Sequence, residues 1–165
     1  MKRLALLRHA KSSWDNPGKS DFDRPLNKRG QHDAPRMGKL LAERGLRPTA
    51  IVSSAAARAR ATAEAVGPEL GVESNDIRFT EALYLASATD MLTVLDKYAS
   101  NDDEVLLVGH NPGITSLANR IADARIDNLP TAACFCVEAD VENWSELLSR
   151  PGRLVFFVSP KNDLS

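Results

Sequence analysis

Two short, uninterrupted apolar runs, each ending abruptly on a histidine, constrain this chain more than anything else in it. Arg3-Leu-Ala-Leu-Leu7 is followed at once by Arg8-His9, and Glu104-Val-Leu-Leu-Val108 by Gly109-His110. Such a run has no polar alternation and so no face to offer water; it reads as a strand covered on both sides. Covering both sides takes helices, and the sequence between supplies them. Asn27 can cap a helix running to about Arg44, with Ala34, Met37, Leu40 and Leu41 on one face and Gly45 and Pro48 as stop signals. Thr49 to Ser53 reads as a strand, Ala56 to Val66 as an alanine-rich helix ended by Gly67-Pro68, and Ile77 to Phe79 as a further short strand. Thr89 to Tyr98 and Ile114 to Ile121 read as helices flanking the second apolar run, with Ala133 to Val137 and Arg153 to Val158 as closing strands. Strands alternating with helices predict an α/β fold: a three-layer α/β/α sandwich with a mostly parallel sheet.

A chain of 165 residues suffices for one domain with its own core, and no linker, repeat or low-complexity tract divides it, so residues 1–165 are expected to form a single domain. An apolar fraction of 43% and a charged fraction of 26% exclude a disordered or fibrous chain. The first apolar run is cut off by Arg8 too soon for a signal-peptide core, and no stretch approaches membrane-spanning length, so neither export nor a membrane partner is expected. Cys134 and Cys136 stand two apart in an apolar strand, an arrangement that suits core packing better than a disulfide and agrees with a cytoplasmic setting. Residues 1–60 carry 14 Lys and Arg against 5 Asp and Glu, while the remainder carries 7 against 17. The first third therefore either attracts an anion or presents solvated helix faces. Aromatics make up only 5% and are not interleaved with the basic residues, so nucleic acid is not an expected partner.

The two histidines lie where parallel strands deliver their carboxyl ends, the place where open α/β sheets bind ligands. Arg58 follows the strand Ile51 to Ser53 and falls in the first turn of the next helix, where backbone N–H groups and the positive helix end also favour an anion. If these strands are neighbours, Arg8, His9, Arg58 and His110 converge on one crevice. Guanidinium forks match phosphate oxygens and stay charged at any working pH. Two histidines can divide the labour, a neutral imidazole attacking phosphorus and a protonated one stabilising the anion. Zinc is disfavoured, because His32 falls in the predicted first helix and adjacent arginines would repel a dication; no metal and no organic cofactor is expected. His32 reads as a surface or helix-packing residue, and Trp14 and Trp144 as packing residues.

Leu7-Arg8-His9-Ala10 resembles the Arg-His-Gly signature of the histidine phosphatase superfamily. Ser54-Ala-Ala-Ala-Arg58-Ala-Arg-Ala-Thr62 resembles its Ser-Pro-x-x-Arg-Ala-x-Gln-Thr element, and Val108-Gly-His110-Asn-Pro-Gly113 its second-histidine element. The resemblance covers roughly residues 2 to 120, in the family's order. Ala10, Ala55 and Ala61 depart from the usual glycine, proline and glutamine, but all are small residues. Short length, Arg8-His-Ala-Lys-Ser-Ser-Trp14 and Asp23-Arg-Pro-Leu-Asn-Lys-Arg-Gly30 are similar to the short phosphohistidine phosphatase group.

The resemblance implies a phosphoglycerate mutase-like fold, His9 as nucleophile, Arg8 and Arg58 as phosphate ligands, and His110 completing the pocket, with no cofactor. Glu81, in Thr80-Glu-Ala-Leu-Tyr84, lies about where other branches keep the acid that protonates a leaving oxygen. A phosphohistidine substrate lessens the need for it, so Glu81 is expected to help rather than to be essential. Ser12 is a further candidate phosphate contact. The expected function is removal of a phosphoryl group, from phosphohistidine of a protein, through phosphohistidine on His9. A small-molecule phosphomonoesterase, a mutase-like enzyme and a non-catalytic phosphate or phosphohistidine reader remain open alternatives. A chain this short has little material for a lid, which predicts an open, shallow site.

Overall fold

Each apolar run becomes a central strand of one six-stranded sheet. The computed structural model describes residues 1–164, and Ser165, the last residue of the expected domain, lies outside the described residues. The strands are β1 (Lys2–Arg8), β2 (Ala50–Ser54), β3 (Ile77–Thr80), β4 (Glu104–Gly109), β5 (Cys134–Ala139) and β6 (Arg153–Val158). The helices are α1 (Lys28–Glu43), α2 (Ala57–Glu69), α3 (Ala88–Tyr98), α4 (Gly113–Ile121) and the single turn α5 (Pro160–Asp163). The strand order is β3-β2-β4-β1-β5-β6. β3, β2, β4 and β1 run parallel, whereas β5 pairs antiparallel with both β1 and β6.

Strand periodicity separates the two cores. Leu4, Leu6, Val105 and Leu107 face one side, against Met91, Leu92 and Leu95 of α3 and Ile114 and Leu117 of α4. Ala5, Leu7, Leu106 and Val108 face the other, against Met37 and Leu41 of α1 and Ala59, Ala63 and Val66 of α2. All eight strand residues are at most 1% exposed, which is why these runs carry no polar alternation. Burying one such leucine contributes on the order of 2 kcal/mol.

The order of the strands matters most for function. The chain leaves β1, passes through α1 and enters β2 two positions away, and β4 later fills the gap. The carboxyl ends of β2, β4 and β1 therefore lie side by side, with Arg8 opposite Gly109 in the β1–β4 register. The residues just past those ends, His9 and His110, are neighbours although they are far apart in sequence.

Local signals held in most places. The Asn27 side chain accepts from the Gly30 N–H, capping α1 as its position predicts. A Cβ on Gly30 would stand 2.1 Å from the Lys11 carbonyl oxygen, so only glycine lets α1 approach the loop that follows His9. The end of α2 differs from expectation: the helix runs through Gly67-Pro68 to Glu69. Pro68 removes only one hydrogen bond of the last turn, and the stop comes from Gly71, whose φ of +72° is the left-handed conformation that terminates helices. Trp144 packs as expected, fully buried with its Nε1–H on the Ala99 carbonyl at 2.9 Å. Cys134 and Cys136 are free and buried in the core. His32 is an exposed side chain of α1 beside Arg36. Trp14 corrects its expectation: it is 75% exposed rather than packed.

Candidate active site

Arg8, His9, Arg58 and His110 do converge. They line one cavity of about 240 Å³ at the carboxyl ends of β1, β4 and β2, together with Ser12, Trp14 and Arg24. The His9 and His110 rings lie 5.2 Å apart, centroid to centroid. Backbone bonds set this placement: the His9 N–H donates to the Gly109 carbonyl at 3.2 Å, tying the end of β1 to the end of β4. The Ala10 N–H donates to Thr62 Oγ1 at 3.0 Å, and that hydroxyl donates to the Arg58 carbonyl at 2.8 Å. Thr62 thus pins the loop after His9 to the first turns of α2, which carry Arg58. Ala10 is fully buried at this junction.

The hydrogen-bond partners assign each imidazole its tautomer. His9 Nδ1 lies 2.8 Å from the Ala10 carbonyl oxygen, an acceptor, so Nδ1 carries the proton. Nε2 keeps the lone pair, which accepts from Arg58 Nε at 3.3 Å. His110 is held through its other ring nitrogen. Its Nε2 lies 2.8 Å from Ser54 Oγ. The other partner of that oxygen among the described residues is the Ala56 N–H, a donor, so Nε2 is the acceptor available for the Ser54 hydrogen, which leaves the His110 proton on Nδ1. His110 Nδ1 and Arg8 Nε are buried without a partner among the described residues. Two donors left this way want an acceptor, and an anion in the cavity would be one.

Electrostatics favour the same ligand. Burial first, then the nearby His110, Arg58 and Arg8 charges, push His9 down to about 3, with only the Ala10 carbonyl opposing. Burial, followed by Arg58, lowers His110 to about 4. Both imidazoles are therefore neutral at pH 7, which suits the attacking role and corrects the expectation of a protonated second histidine. The first reason is burial, to which the local surplus of cations adds; a phosphoryl dianion beside Arg8 and Arg58 would offset that surplus and raise His110. Burial and Arg58 likewise oppose the Arg8 charge, so two guanidinium groups confront each other across the cavity.

Several residues of this centre were not singled out by sequence reasoning. Asp21, in a single 3-10 turn (Asp21–Asp23), accepts from Arg58 Nη2 at 3.1 Å and offers its carbonyl to Arg58 Nη1 at 2.7 Å. It also accepts from Arg24 Nε at 3.1 Å and from the Tyr84 hydroxyl. The Tyr84 bond, then Arg24 and Arg58, hold the Asp21 carboxyl down at about 2 against the opposing effect of its partial burial. Tyr84 in turn stands edge-on to His110, with centroids 5.5 Å apart. Ser12 lines the cavity as expected, but its hydroxyl accepts from Arg24 Nη1 at 2.7 Å, so it also serves to place that arginine. Glu81 is exposed in the turn Glu81–Leu83 beyond β3 and is not among the residues lining the cavity. Among the described residues, no three His, Cys, Asp or Glu side chains stand together in a way fit to hold a metal ion. Nor, among the described residues, is any helix long and apolar enough to cross a membrane.

Comparison with known proteins agrees with this geometry. The family model of the histidine phosphatase superfamily (branch 1) matches residues 4–84. The crystal structure of SixA from Agrobacterium tumefaciens, whose proposed activity is that of a phosphohistidine phosphatase, is 32% identical and superposes with a TM-score of 0.80 over 96% of this chain and 98% of that one. The chain belongs to the histidine phosphatase superfamily. Within the superfamily it falls in the short, SixA-like group. An uncharacterised chloroplastic protein of Arabidopsis thaliana is 33% identical over 175 residues, spanning 99% of this chain and 80% of that one. The structure of the protein histidine phosphatase SixA complexed with tungstate also gives a TM-score of 0.80, covering 97% and 98% of the two chains. At 22% identity, that likeness bears on the superfamily's fold alone.

Proposed function

We propose that the protein is a phosphatase that removes the phosphoryl group of a phosphohistidine through a covalent phosphohistidine on His9. The observation that carries this reading is the assigned tautomer: a neutral, buried imidazole with its Nε2 lone pair free of a proton, facing a cavity rimmed by arginines. Arg8 and Arg58 hold the phosphoryl oxygens, and the unpartnered Nδ1–H of His110 donates to one of them. His9 Nε2 attacks phosphorus while the bond from phosphorus to the substrate's ring nitrogen breaks. The electron pair stays with the substrate ring, whose other nitrogen carries a proton, so imidazole leaves neutral. Water then attacks phosphorus on His9, the Nε2 bond breaks with its pair returning to the ring, and the water's proton departs with phosphate or to solvent. Splitting the reaction this way replaces one difficult step with two easier ones.

Because the leaving imidazole needs no further proton, Glu81 helps with alkoxide leaving groups rather than with this one. Its exposed position outside the cavity supports that. Glu81→Gln is expected to retain phosphohistidine turnover within about threefold, while a loss as deep as that of His9→Ala would reject this role. A cavity of about 240 Å³ is below the ~300 Å³ at which pockets begin to enclose whole small molecules, which supports a phosphorylated side chain on a protein over a metabolite. Residues 1–165 act on this reading as a single histidine phosphatase domain, and the buried, unpaired cysteines support a cytoplasmic setting.

Phosphorus NMR time courses with phosphohistidine and a phosphate monoester, in excess chelator, test the reading. Phosphate release from phosphohistidine by wild type, abolished in His9→Ala, is expected. A folded protein that binds phosphohistidine without releasing phosphate would replace it with a non-catalytic reader.

A further inference from the structure

Trp14 is the one large exposed hydrophobic side chain of the described residues that lines the cavity; Met1, Leu85, Leu154 and Phe157 are exposed elsewhere. An indole left 75% exposed at the rim of a charged pocket is unfavourable unless something covers it in use. It is also held. The Arg24 guanidinium carbon sits 3.5 Å from the centre of the indole ring, and Arg24 itself is only 9% exposed. Three hydrogen bonds fix that arginine: Nη1 to Ser12 Oγ at 2.7 Å, Nη1 to the Ser13 carbonyl at 3.2 Å, and Nε to Asp21 Oδ1 at 3.1 Å. One face of the indole therefore rests on a rigid cation and the other faces solvent beside the phosphoryl site.

The cavity supplies everything a phosphoryl group needs but has little room for what the group is attached to. We infer that the open face of Trp14 is the platform on which the substrate's imidazole stacks, making Trp14 a specificity-determining residue for planar, nitrogen-linked leaving groups. This rests on the phosphohistidine reading above. The ring that arrives is a phosphorylated imidazole protonated on its other nitrogen, a flat cation, which an indole face attracts both by stacking and through its quadrupole. The ring stays stacked in the bound substrate and in the transition state alike, so the contribution is uniform binding and falls on KM with kcat unchanged.

Phosphoramidate carries the same phosphorus–nitrogen bond with no ring and is the control. The test compares kcat and KM for phosphohistidine and phosphoramidate in wild type, Trp14→Ala and Trp14→Phe. The expected result is a phosphohistidine-to-phosphoramidate ratio of kcat/KM that falls about fivefold in Trp14→Ala, through KM, and recovers in Trp14→Phe, which keeps a ring face. A ratio unchanged in Trp14→Ala would overturn the inference, whether both activities fall together, as they would if Trp14 merely propped Arg24, or neither moves. Absence of wild-type turnover on phosphohistidine marks failure of the parent reading and removes this inference with it. Normal wild-type turnover with an unchanged ratio sinks the inference alone.

Discussion

Ser54→Ala isolates the part of the site that fixes where the His110 proton sits. Ser54 is fully buried and His110 is 2% exposed, and the hydroxyl between them gives its hydrogen to Nε2 at 2.8 Å while accepting from the Ala56 N–H at 3.2 Å. Removing it leaves a buried ring nitrogen without a donor, at about 1–3 kcal/mol, and weakens one long backbone bond besides. The expected loss of stability is about 2 kcal/mol, measured as a shift of the urea midpoint. The catalytic effect has a ceiling: deleting a hydrogen-bond donor to developing charge altogether lowers kcat by about 10²–10³-fold. Ser54→Ala does not delete the His110 donor but lets the proton move to Nε2, so kcat on phosphohistidine should fall about tenfold, less than in His110→Ala, at about 1.4 kcal/mol per factor of ten. Nitrogen-15 NMR of the His110 ring reads the cause directly. Wild type should show the proton on Nδ1 and Ser54→Ala a mixture, and Ser54→Thr, which keeps a hydroxyl, should retain the wild-type tautomer. A Ser54→Ala protein with the proton still wholly on Nδ1 and kcat within twofold of wild type would refute the argument.

Stability should fall with acid in a window set by the histidines. His9 and His110 titrate at about 3 and about 4 in the folded chain. In the unfolded chain they titrate near the ordinary value of about 6.5, so stability is full above that pH and is lost below it as the unfolded state alone takes up protons. Each contributes on the order of 2 kcal/mol of that loss between about pH 6.5 and pH 5, before most carboxylates titrate. Urea melts at pH 8, 6.5 and 5 check this, and a midpoint flat across the series would contradict the burial argument. Arg58→Lys keeps the charge but loses the fork that reaches His9 Nε2, the Asp21 carbonyl and Asp21 Oδ2, so kcat/KM should drop about 100-fold or more in steady-state assays, and a drop under about fivefold would mean charge alone suffices.

Most of the fold and the groups that converge on the cavity were legible because they rest on local rules. A continuous apolar run must be covered on both sides, and a residue just beyond a parallel strand lies at the ligand end of the sheet; those two facts place His9 and His110. That the two are neighbours depends on β4 filling the gap between β1 and β2, a matter of topology that periodicity alone does not settle. What escaped is long-range. Asp21 meets Arg58 across 37 residues and Tyr84 across 63, and nothing local marks a loop aspartate as the anchor of a guanidinium in another element. Trp14 reads as a packing residue because large aromatic side chains usually are, and its place at the cavity rim, with Arg24 stacked on one face, is something no spacing rule announces. The protonated second histidine failed for a similar reason: burial, which the sequence does not announce, strips the proton first, and the positive field of Arg58 adds to it.

The covalent step is the centre of the account, and its most direct test is rapid quench of the enzyme with phosphorus-32-labelled phosphohistidine, followed by mapping of protein-bound label. The account predicts a burst of alkali-stable, acid-labile label approaching one per chain on His9, absent in His9→Ala and still formed, more slowly, in His110→Ala. Steady phosphate release with no label on His9 at any quench time, or label on His110 instead, would contradict it.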